Sequence, residues 1–171
     1  EIKKNDLIVI SDYNKGILDK DLLKTIIKIS NQYNKIIVAD PKKIDLSSYS
    51  GVNILTPNQK EITDAAKKKF LNEKNLIKFG KSIIKKYKIK NILITRSAKG
   101  MLLINSVAVK KIRADTKKVI DVTGAGDTVV ASLALMLISG LSVEDSVKIS
   151  NYAAGVVIGR RGTASINYLD L

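Results

Sequence analysis

The sequence predicts an α/β fold in which a mainly parallel sheet carries helices on both faces, and we expect the crossover helices between parallel strands to lie on both of them. Short continuous apolar segments alternate with longer segments whose apolar residues recur at helical spacing, which is the pattern of strand–helix–strand units. The apolar runs are typical of strands that are covered on both faces. The length of 171 residues suits one domain with a sizeable core, so we expect a single domain over 1–171.

The first half of the chain contains three predicted strands and a helix. Leu7–Ser11 ("LIVIS") is the first continuous apolar run. Asp19 is a favourable N-cap for the helix that follows, whose apolar positions at helical spacing are Leu22, Leu23, Ile26, Ile27 and Ile29. The apolar runs Ile36–Ala39 and Asn53–Thr56 predict two more buried strands, and each strand ends close to a proline.

The second half adds four helices and three strands. The predicted elements are helices over 58–69 and 73–87, a strand at Asn91–Thr95, antiparallel strands at Met101–Asn105 and Val107–Arg113, and helices over about 125–139 and 143–158. The fourth strand ends in the turn "RSAKG". Ser142 and Asp145 resemble a helix-start capping pair, with Asp in place of the usual Glu.

Composition excludes several classes of chemistry. The chain has no cysteine and no histidine, so disulfides, thiolate metal sites, imidazole catalysis and histidine-bound zinc are all excluded. No apolar run reaches the roughly 18–20 residues of a membrane span. No targeting segment is visible, and we expect a cytoplasmic protein that does not engage a membrane.

The formal net charge of +14 raises the question of nucleic-acid binding. Base readout and base stacking favour arginine and aromatic residues, yet the chain has only four arginines and 5% aromatic residues. The lysines are spread along the whole chain. We therefore expect a solvated lysine surface that attracts phosphorylated small molecules, and no nucleic-acid partner.

Polar and charged residues follow the predicted strands at the edge where ligands collect in such sheets. They are Asp12 after the first strand, Asp40 and Lys42 after the second, Asn58 and Glu61 after the third, and Thr95 to Gly100 after the fourth. This convergence indicates an enzyme.

The segment "DVTGAGDTVVASLAL" (121–135) predicts an anion site at the start of a helix. Gly124 and Gly126 allow unusual backbone angles, and the amides of 124–127 can face one concavity that suits transferring phosphoryl oxygens. Asp127 at its rim is a candidate base for an attacking hydroxyl; the alternative is a plain helix N-cap. The chain has neither a P-loop nor a third glycine for a dinucleotide fingerprint, since position 129 is Val.

Several motifs resemble the ribokinase-like (PfkB) carbohydrate kinases. "DVTGAGDTVVASLA" resembles their C-terminal signature, with Ser132 in place of a smaller residue, and "TPNQKE" (56–61) resembles their Asn-x-x-Glu element. The resemblance implies a kinase that acts on an alcohol group with ATP and Mg²⁺. By this resemblance Asp127 is the base, and the anion hole consists of Gly124, Ala125 and Gly126. Mg-ATP is bound by Asn58, Gln59, Lys60 and Glu61, of which Glu61 and Asn58 serve the metal. The nucleotide turn contains Thr95, Ser97 and Gly100, and Asn151 lies at the adenine.

Within this family, the motif set is similar to the kinase domain of the bacterial heptose-7-phosphate kinase/heptose-1-phosphate adenylyltransferases. The segments are "SDYNKG" (11–16), "ADPKK" (39–43), "LTPNQKE" (55–61), "TRSAKGM" (95–101) and "AAGVVIGRRGT" (153–163). The resemblance implies phosphorylation of O1 of D-glycero-D-manno-heptose 7-phosphate for lipopolysaccharide synthesis. Asp12, Lys15, Asp40 and Lys42 are candidates for binding the sugar or phosphate; ordinary turn chemistry is the alternative for each.

The resemblance covers the C-terminal part of the kinase domain only. The glycine-rich sugar-binding signature and the β-lid of the family do not occur in these residues, so we predict little or no kinase activity for the 171-residue segment alone. For the full-length protein we expect a homodimer. Two other functions stay open: another ribokinase-like kinase acting on ribose, fructose or a nucleoside, and a fragment that only binds nucleotide.

Overall fold

A six-stranded sheet forms the centre of the chain, with its strands in sequence order from one edge to the other. The computed structural model describes residues 1–114, 119–167 and 170. The strands are β1 (Leu7–Ser11), β2 (Ile36–Asp40), β3 (Ile54–Leu55), β4 (Asn91–Thr95), β5 (Met101–Asn105) and β6 (Val109–Ile112). Strands β1 to β4 are parallel, and β5 and β6 continue the sheet in antiparallel pairing. The mainly parallel sheet is thus confirmed.

Helices cover both faces of the sheet, as predicted. They are α1 (Lys20–Gln32), α2 (Gln59–Ala66), α3 (Glu73–Tyr87), α4 (Ala125–Ile138) and α5 (Val143–Ile158). Helices α1, α2 and α3, which connect the parallel strands, all pack on one face. Helices α4 and α5 follow the last strand and cover the other face. Within the described part of the chain, no helix is both long and apolar enough to cross a membrane.

Alternate side chains of each central strand enter the two cores. In β4, Ile92 and Ile94 are fully buried against the α1–α3 side, while Leu93 is fully buried against α4 and α5. In β2, Val38 likewise faces the α4–α5 side. Because both faces are covered, these strands read as continuous apolar runs rather than as alternating ones.

Two elements end or begin at positions other than those predicted from the apolar pattern, and local backbone conformation or a side-chain hydrogen bond explains each difference. Helix α2 ends at Ala66, before the predicted position 69, because Lys67 adopts a left-handed conformation with φ of 52°. Strand β6 begins at Val109 rather than 107. The Asn105 side chain accepts hydrogen bonds from the N–H groups of Val107 and Ala108 and so turns the hairpin there.

Candidate active site

A cleft of about 140 Å³ opens where the carboxyl ends of the parallel strands meet the start of α4. Its lining residues are Tyr13, Asp40, Lys42, Thr56, Asn58, Glu61, Thr95, Gly124, Gly126, Asp127, Val129 and Val130. Half of the residues singled out in the sequence therefore lie around one small space. Larger grooves of about 580 and 440 Å³ border α3, and no candidate residue lines them.

Asp127 lies at the rim of this cleft and does not cap α4. The N-cap is Gly124, whose φ of +79° is the left-handed conformation that favours glycine, and no side chain caps this helix. Among the described residues, the one hydrogen-bond donor to the Asp127 carboxylate is the Tyr13 hydroxyl, at 3.3 Å. The carboxylate therefore keeps lone pairs available to a bound molecule, and the interpretation as a plain N-cap does not fit.

The backbone amides at the start of α4 are available donors. Within the part of the chain that the structure describes, no group accepts from the N–H of Gly124, Gly126 or Asp127. Ala125 differs, because its N–H donates to the Val122 carbonyl at 3.3 Å, and Ala125 does not line the cleft. Of the three residues predicted to form the anion hole, Gly124 and Gly126 therefore have available amides, as does Asp127, and Ala125 does not.

Gly126 keeps the approach to these amides open. It lies in the first turn of α4, and a Cβ added there would meet no atom within 4 Å. The glycine is thus not required by packing. Since Gly126 lines the cleft, the added methyl group would occupy space that a ligand needs beside the amides.

Across the cleft, one ammonium group holds two carboxylates together. The Lys42 Nζ atom lies 2.7 Å from Glu61 Oε1 and 3.1 Å from Asp40 Oδ2. Burial raises the pKa of the Asp40 carboxyl, the Lys42 charge partly offsets that effect, and the Glu61 and Asp127 charges add to it. Burial alone would lower the pKa of the Lys42 ammonium, but its bonds to Glu61 and Asp40 outweigh burial and raise it.

Asn58 and Glu61 form a capping box at the start of α2. The Asn58 side chain accepts from the Glu61 N–H at 2.9 Å, and the Glu61 carboxylate accepts from the Asn58 N–H at 2.8 Å. Asn58 is thus the N-cap of α2. With its carbonyl oxygen engaged, Asn58 offers its Nδ2 group, which donates and so suits a phosphate oxygen or a metal-bound water.

The donor set of the cleft is compatible with Mg²⁺. Two carboxylates converge on the Lys42 ammonium, so a cation already occupies the position that both acids face. Among the described residues, no group of three or more acidic, histidine or cysteine side chains could hold a metal alone. Mg²⁺ usually binds through one or two carboxylates together with substrate phosphates and waters.

The turn after β4 is held rigidly beside the cleft. The Arg96 N–H donates to the Gly100 carbonyl at 2.9 Å, and the Thr95 N–H donates to Pro57 at 3.1 Å. Gly100 has a φ of +72°, and an added Cβ would lie 2.0 Å from the Ile112 carbonyl oxygen. Glu73 forms ion pairs with both Arg96 and Lys111, which ties the turn to α3 and β6.

Seven predicted residues besides Ala125 lie outside the cleft lining: Asp12, Lys15, Gln59, Lys60, Ser97, Gly100 and Asn151. Asp12 is 2% exposed and bonded to protein groups, while Lys15 borders a separate groove beside β1. The Asn151 amide donates to the Arg113 carbonyl at 2.8 Å. The roles of these residues toward ligands stay predictions.

Sequence reasoning missed Tyr13 and Thr56. Both lie at the carboxyl end of a parallel strand, next to residues that were singled out. For Tyr13 there was a signal, because a large aromatic residue inside the polar stretch "SDYNKG" has no core to enter. Its side chain is 60% exposed.

Comparison with known proteins agrees with this arrangement. The sequence profile described as "pfkB family carbohydrate kinase" matches residues 1–168. Bifunctional protein HldE of Granulibacter bethesdensis is 39% identical over an alignment of 171 positions that covers 96% of this chain and 35% of that protein. The protein of the same name from Campylobacter fetus is 42% identical over 166 residues, 97% of this chain and 36% of the relative. The chain thus spans about a third of the length of these curated relatives.

Solved structures show the same fold. Phosphofructokinase-2 from Escherichia coli in complex with potassium superposes with a TM-score of 0.85 at 21% identity, covering 96% of this chain and 54% of that one. Ribokinase from Arabidopsis thaliana, complexed with ribose and ATP, superposes with a TM-score of 0.82 at 18% identity, covering 95% and 52%. The chain therefore has the three-layer ribokinase-like architecture.

Proposed function

The chain belongs to the pfkB family of carbohydrate kinases, and from this membership we propose that it carries the phosphoryl-transfer site of an ATP-dependent sugar kinase. One observation supports this proposal above all others. The Asp127 carboxylate and the amides of Gly124 and Gly126 border the same cleft as the Asp40–Lys42–Glu61 cluster. A base, an anion site and a cation-binding pair of acids are the parts that phosphoryl transfer needs.

In the proposed reaction the acceptor hydroxyl lies between Asp127 and the terminal phosphate of ATP. The carboxylate takes the hydroxyl proton as the oxygen forms a bond to the γ-phosphorus. The bond between that phosphorus and the bridging oxygen breaks, and ADP leaves. The amides of 124, 126 and 127 donate to the phosphoryl oxygens, where charge is stabilised. General-base help contributes roughly 10²–10⁴-fold, so positioning supplies much of the rest.

Mg²⁺ and ATP are the proposed cofactor and phosphoryl donor. Glu61 and Asp40 would hold the metal, directly or through water, and Asn58 would donate to a phosphate oxygen or a metal-bound water. When bound, the ion would neutralise phosphate charge. Lys42 holds these two acids together. Its ammonium borders the same cleft and would also pair with a phosphate oxygen of the nucleotide.

For the acceptor we propose O1 of D-glycero-D-manno-heptose 7-phosphate, with the 1,7-bisphosphate as product. Identity of 39% and 42% to two HldE proteins over nearly the whole chain supports this choice, as do the motifs shared with the heptose kinases. The net charge of +14 suits a substrate and a cofactor that both carry phosphate.

An acceptor panel tests this proposal. Residues 1–171 would replace the matched 36% of the Campylobacter fetus HldE relative, and we call this chimaera the completed kinase. Its ADP release would be compared with heptose 7-phosphate, fructose 6-phosphate, ribose and adenosine as acceptors. Because the relative supplies the sugar-binding signature that residues 1–171 lack, the unaltered relative is assayed as the reference. We expect kcat/KM of the completed kinase to be highest for heptose 7-phosphate and to match that reference. A higher value for another acceptor would reassign the substrate, and Mg-ATP binding without transfer to any acceptor would favour a nucleotide-binding role.

A further inference from the structure

The loop after β1 brings a tyrosine to the proposed base. The Tyr13 hydroxyl donates to Asp127 Oδ1 at 3.3 Å, although the two residues are 114 positions apart. Tyr13 also lines the cleft, and its side chain is 60% exposed. Among the described residues, no other side chain donates to the Asp127 carboxylate. An aromatic ring this exposed contributes little to the core, so its position calls for another reason.

A buried carboxylate anchors the loop on which Tyr13 stands. Asp12 is 2% exposed, and it accepts from the Tyr49 hydroxyl at 2.6 Å and from the Asn14 N–H at 2.7 Å. The Lys43 ammonium lies 3.5 Å from the same carboxylate and neutralises it. These contacts reach the residues on both sides of Tyr13. The backbone then turns through left-handed conformations at Asn14 and Gly16, with φ of 51° and 93°.

We infer that Tyr13 is a positioning residue for phosphoryl transfer, and this inference rests on the proposed role of Asp127 as base. The hydroxyl holds one carboxylate oxygen of Asp127, so that the other oxygen faces the acceptor. The ring forms the wall of the cleft against which the C–H face of a sugar packs. Asp12 acts through this loop, as its anchor, rather than by contact with the sugar.

Tyr13 matters for catalysis because the Asp127 carboxylate can rotate. Without a donor, the Asp127 carboxylate presents either oxygen to the acceptor in many orientations, and only a few of these align with the hydroxyl proton. A hydrogen bond from Tyr13 selects one orientation. Hydrogen bonds to charged groups have free energies that correspond to roughly ten-fold or more in rate. We therefore expect kcat to fall about ten-fold when the hydroxyl is removed.

The contact itself is testable in the 171-residue chain. Tyr13→Phe removes one solvent-accessible oxygen, so the fold should be unaffected. We expect it to change the carbon-13 chemical shift of the Asp127 carboxyl carbon. Tyr33→Phe is the matched control, because Tyr33 is 41% exposed at the end of α1 and distant from the cleft. A carboxyl resonance that responds to neither variant, or equally to both, would overturn the inference.

The role in catalysis is tested in the completed kinase. For Tyr13→Phe we expect kcat to fall about ten-fold with the KM for ATP unchanged, and for Tyr13→Ala we also expect a higher KM for the sugar. Tyr33→Phe should match the parent. If Asp127→Asn abolishes transfer while Tyr13→Phe keeps the parent kcat, this inference is wrong and the proposed function stands. If Asp127→Asn transfers normally, the proposed function itself fails.

A double-mutant cycle separates the anchor from a sugar ligand. If Asp12 works through Tyr13, the losses in kcat from Asp12→Asn and Tyr13→Phe will not add, because both remove the same orientation of the base. In the Tyr13→Ala background, which lacks both the hydroxyl and the ring, the KM for the sugar will then be insensitive to Asp12→Asn. Additive losses with a raised KM would place Asp12 at the substrate and overturn its role as anchor.

Discussion

Some residues in the cleft lower the stability of the fold. Asp40 is the clearest case, because burial raises the pKa of its carboxyl in spite of Lys42. Folding therefore favours the protonated acid. The stability that this group contributes is present at pH values below the unfolded pKa and is lost as the pH rises through the folded pKa. At neutral pH the ionised Asp40 is held at a cost, which is expected of a group kept for ligand binding.

Substitution of Asp40 should therefore have a pH-dependent effect on stability. We predict that Asp40→Asn gains stability relative to the parent as the pH rises from below 3.8 to neutrality, because Asn does not ionise. Thermal unfolding of both proteins across this range measures the difference. Asp45→Asn is the matched control. Hydrogen bonds from Ser47 lower the pKa of Asp45, so this variant should lose stability relative to the parent over the same rise in pH. A difference that stays constant with pH at Asp40 would contradict the prediction.

At this scale the sequence indicates residue types at strand ends but not their partners. Asp12 and Asp40 look alike in sequence, each an aspartate directly after a buried strand. Only the structure shows that the Asp12 carboxylate accepts a hydrogen bond from Tyr49, 37 positions away, whereas the Asp40 carboxylate accepts one from Lys42 in the cleft. Such long-range hydrogen bonds leave no local pattern, so the two residues could not be told apart.

Among the elements, α4 contains a glycine that lowers helix stability without serving the packing of the helix. Ala125 begins the helix, yet glycine follows at 126, and glycine in a helix is less stable than alanine by roughly 0.5–1 kcal/mol. No packing contact requires this glycine, because an added Cβ meets nothing within 4 Å. Gly126 also lines the cleft.

We therefore predict opposite effects of Gly126→Ala on stability and activity. The free energy of unfolding should rise by about 0.5–1 kcal/mol, as for other helix positions. Transfer by the completed kinase should fall, because the methyl group blocks the amides. Denaturant unfolding and kcat/KM are the measurements. Gly80→Ala provides contrast, since its Cβ would lie 2.7 Å from Ile104 Cδ1 and should destabilise α3. Unchanged kcat/KM for Gly126→Ala would argue against the anion site.

Most elements were predictable because their apolar residues follow a period that burial imposes. Strands β1, β4 and β5 have the predicted bounds, and α3 and α5 do as well. The ends of α2 and β6 were not predictable, because a left-handed Lys67 and a side-chain bond from Asn105 set them. Neither lysine nor asparagine by itself indicates where a helix ends or a strand begins.

For the whole molecule, the three-layer architecture followed from the order of elements, but the distribution of helices did not. The crossover helices were expected on both faces, and they lie on one. Right-handed crossovers between strands placed in sequence order keep all connections on the same side. Strand order is a tertiary property that periodicity does not encode. The face on which α1, α2 and α3 lie can be derived only once the strand order is known.

The open edge of the sheet bears on the activity of the 171-residue chain. Strand β1 forms one edge of the sheet; Val9 within it is 44% exposed, and Ile17 in the loop after it is 81% exposed. The acceptor side of the cleft is likewise open at Tyr13. Because phosphoryl transfer needs water to be excluded, we predict negligible ADP release by this chain alone with any sugar of the panel. Turnover equal to that of the completed kinase would contradict this prediction.

The most direct test of the central claim is the turnover of Asp127→Asn in the completed kinase, measured together with its affinity for Mg-ATP by calorimetry. We predict that kcat falls by at least about 100-fold while the Kd for Mg-ATP stays within about two-fold. Asp19→Ala, which removes the true N-cap of α1, should lower stability by about 1 kcal/mol and leave turnover unchanged. An Asp127→Asn enzyme with the parent turnover would show that this carboxylate is not the base.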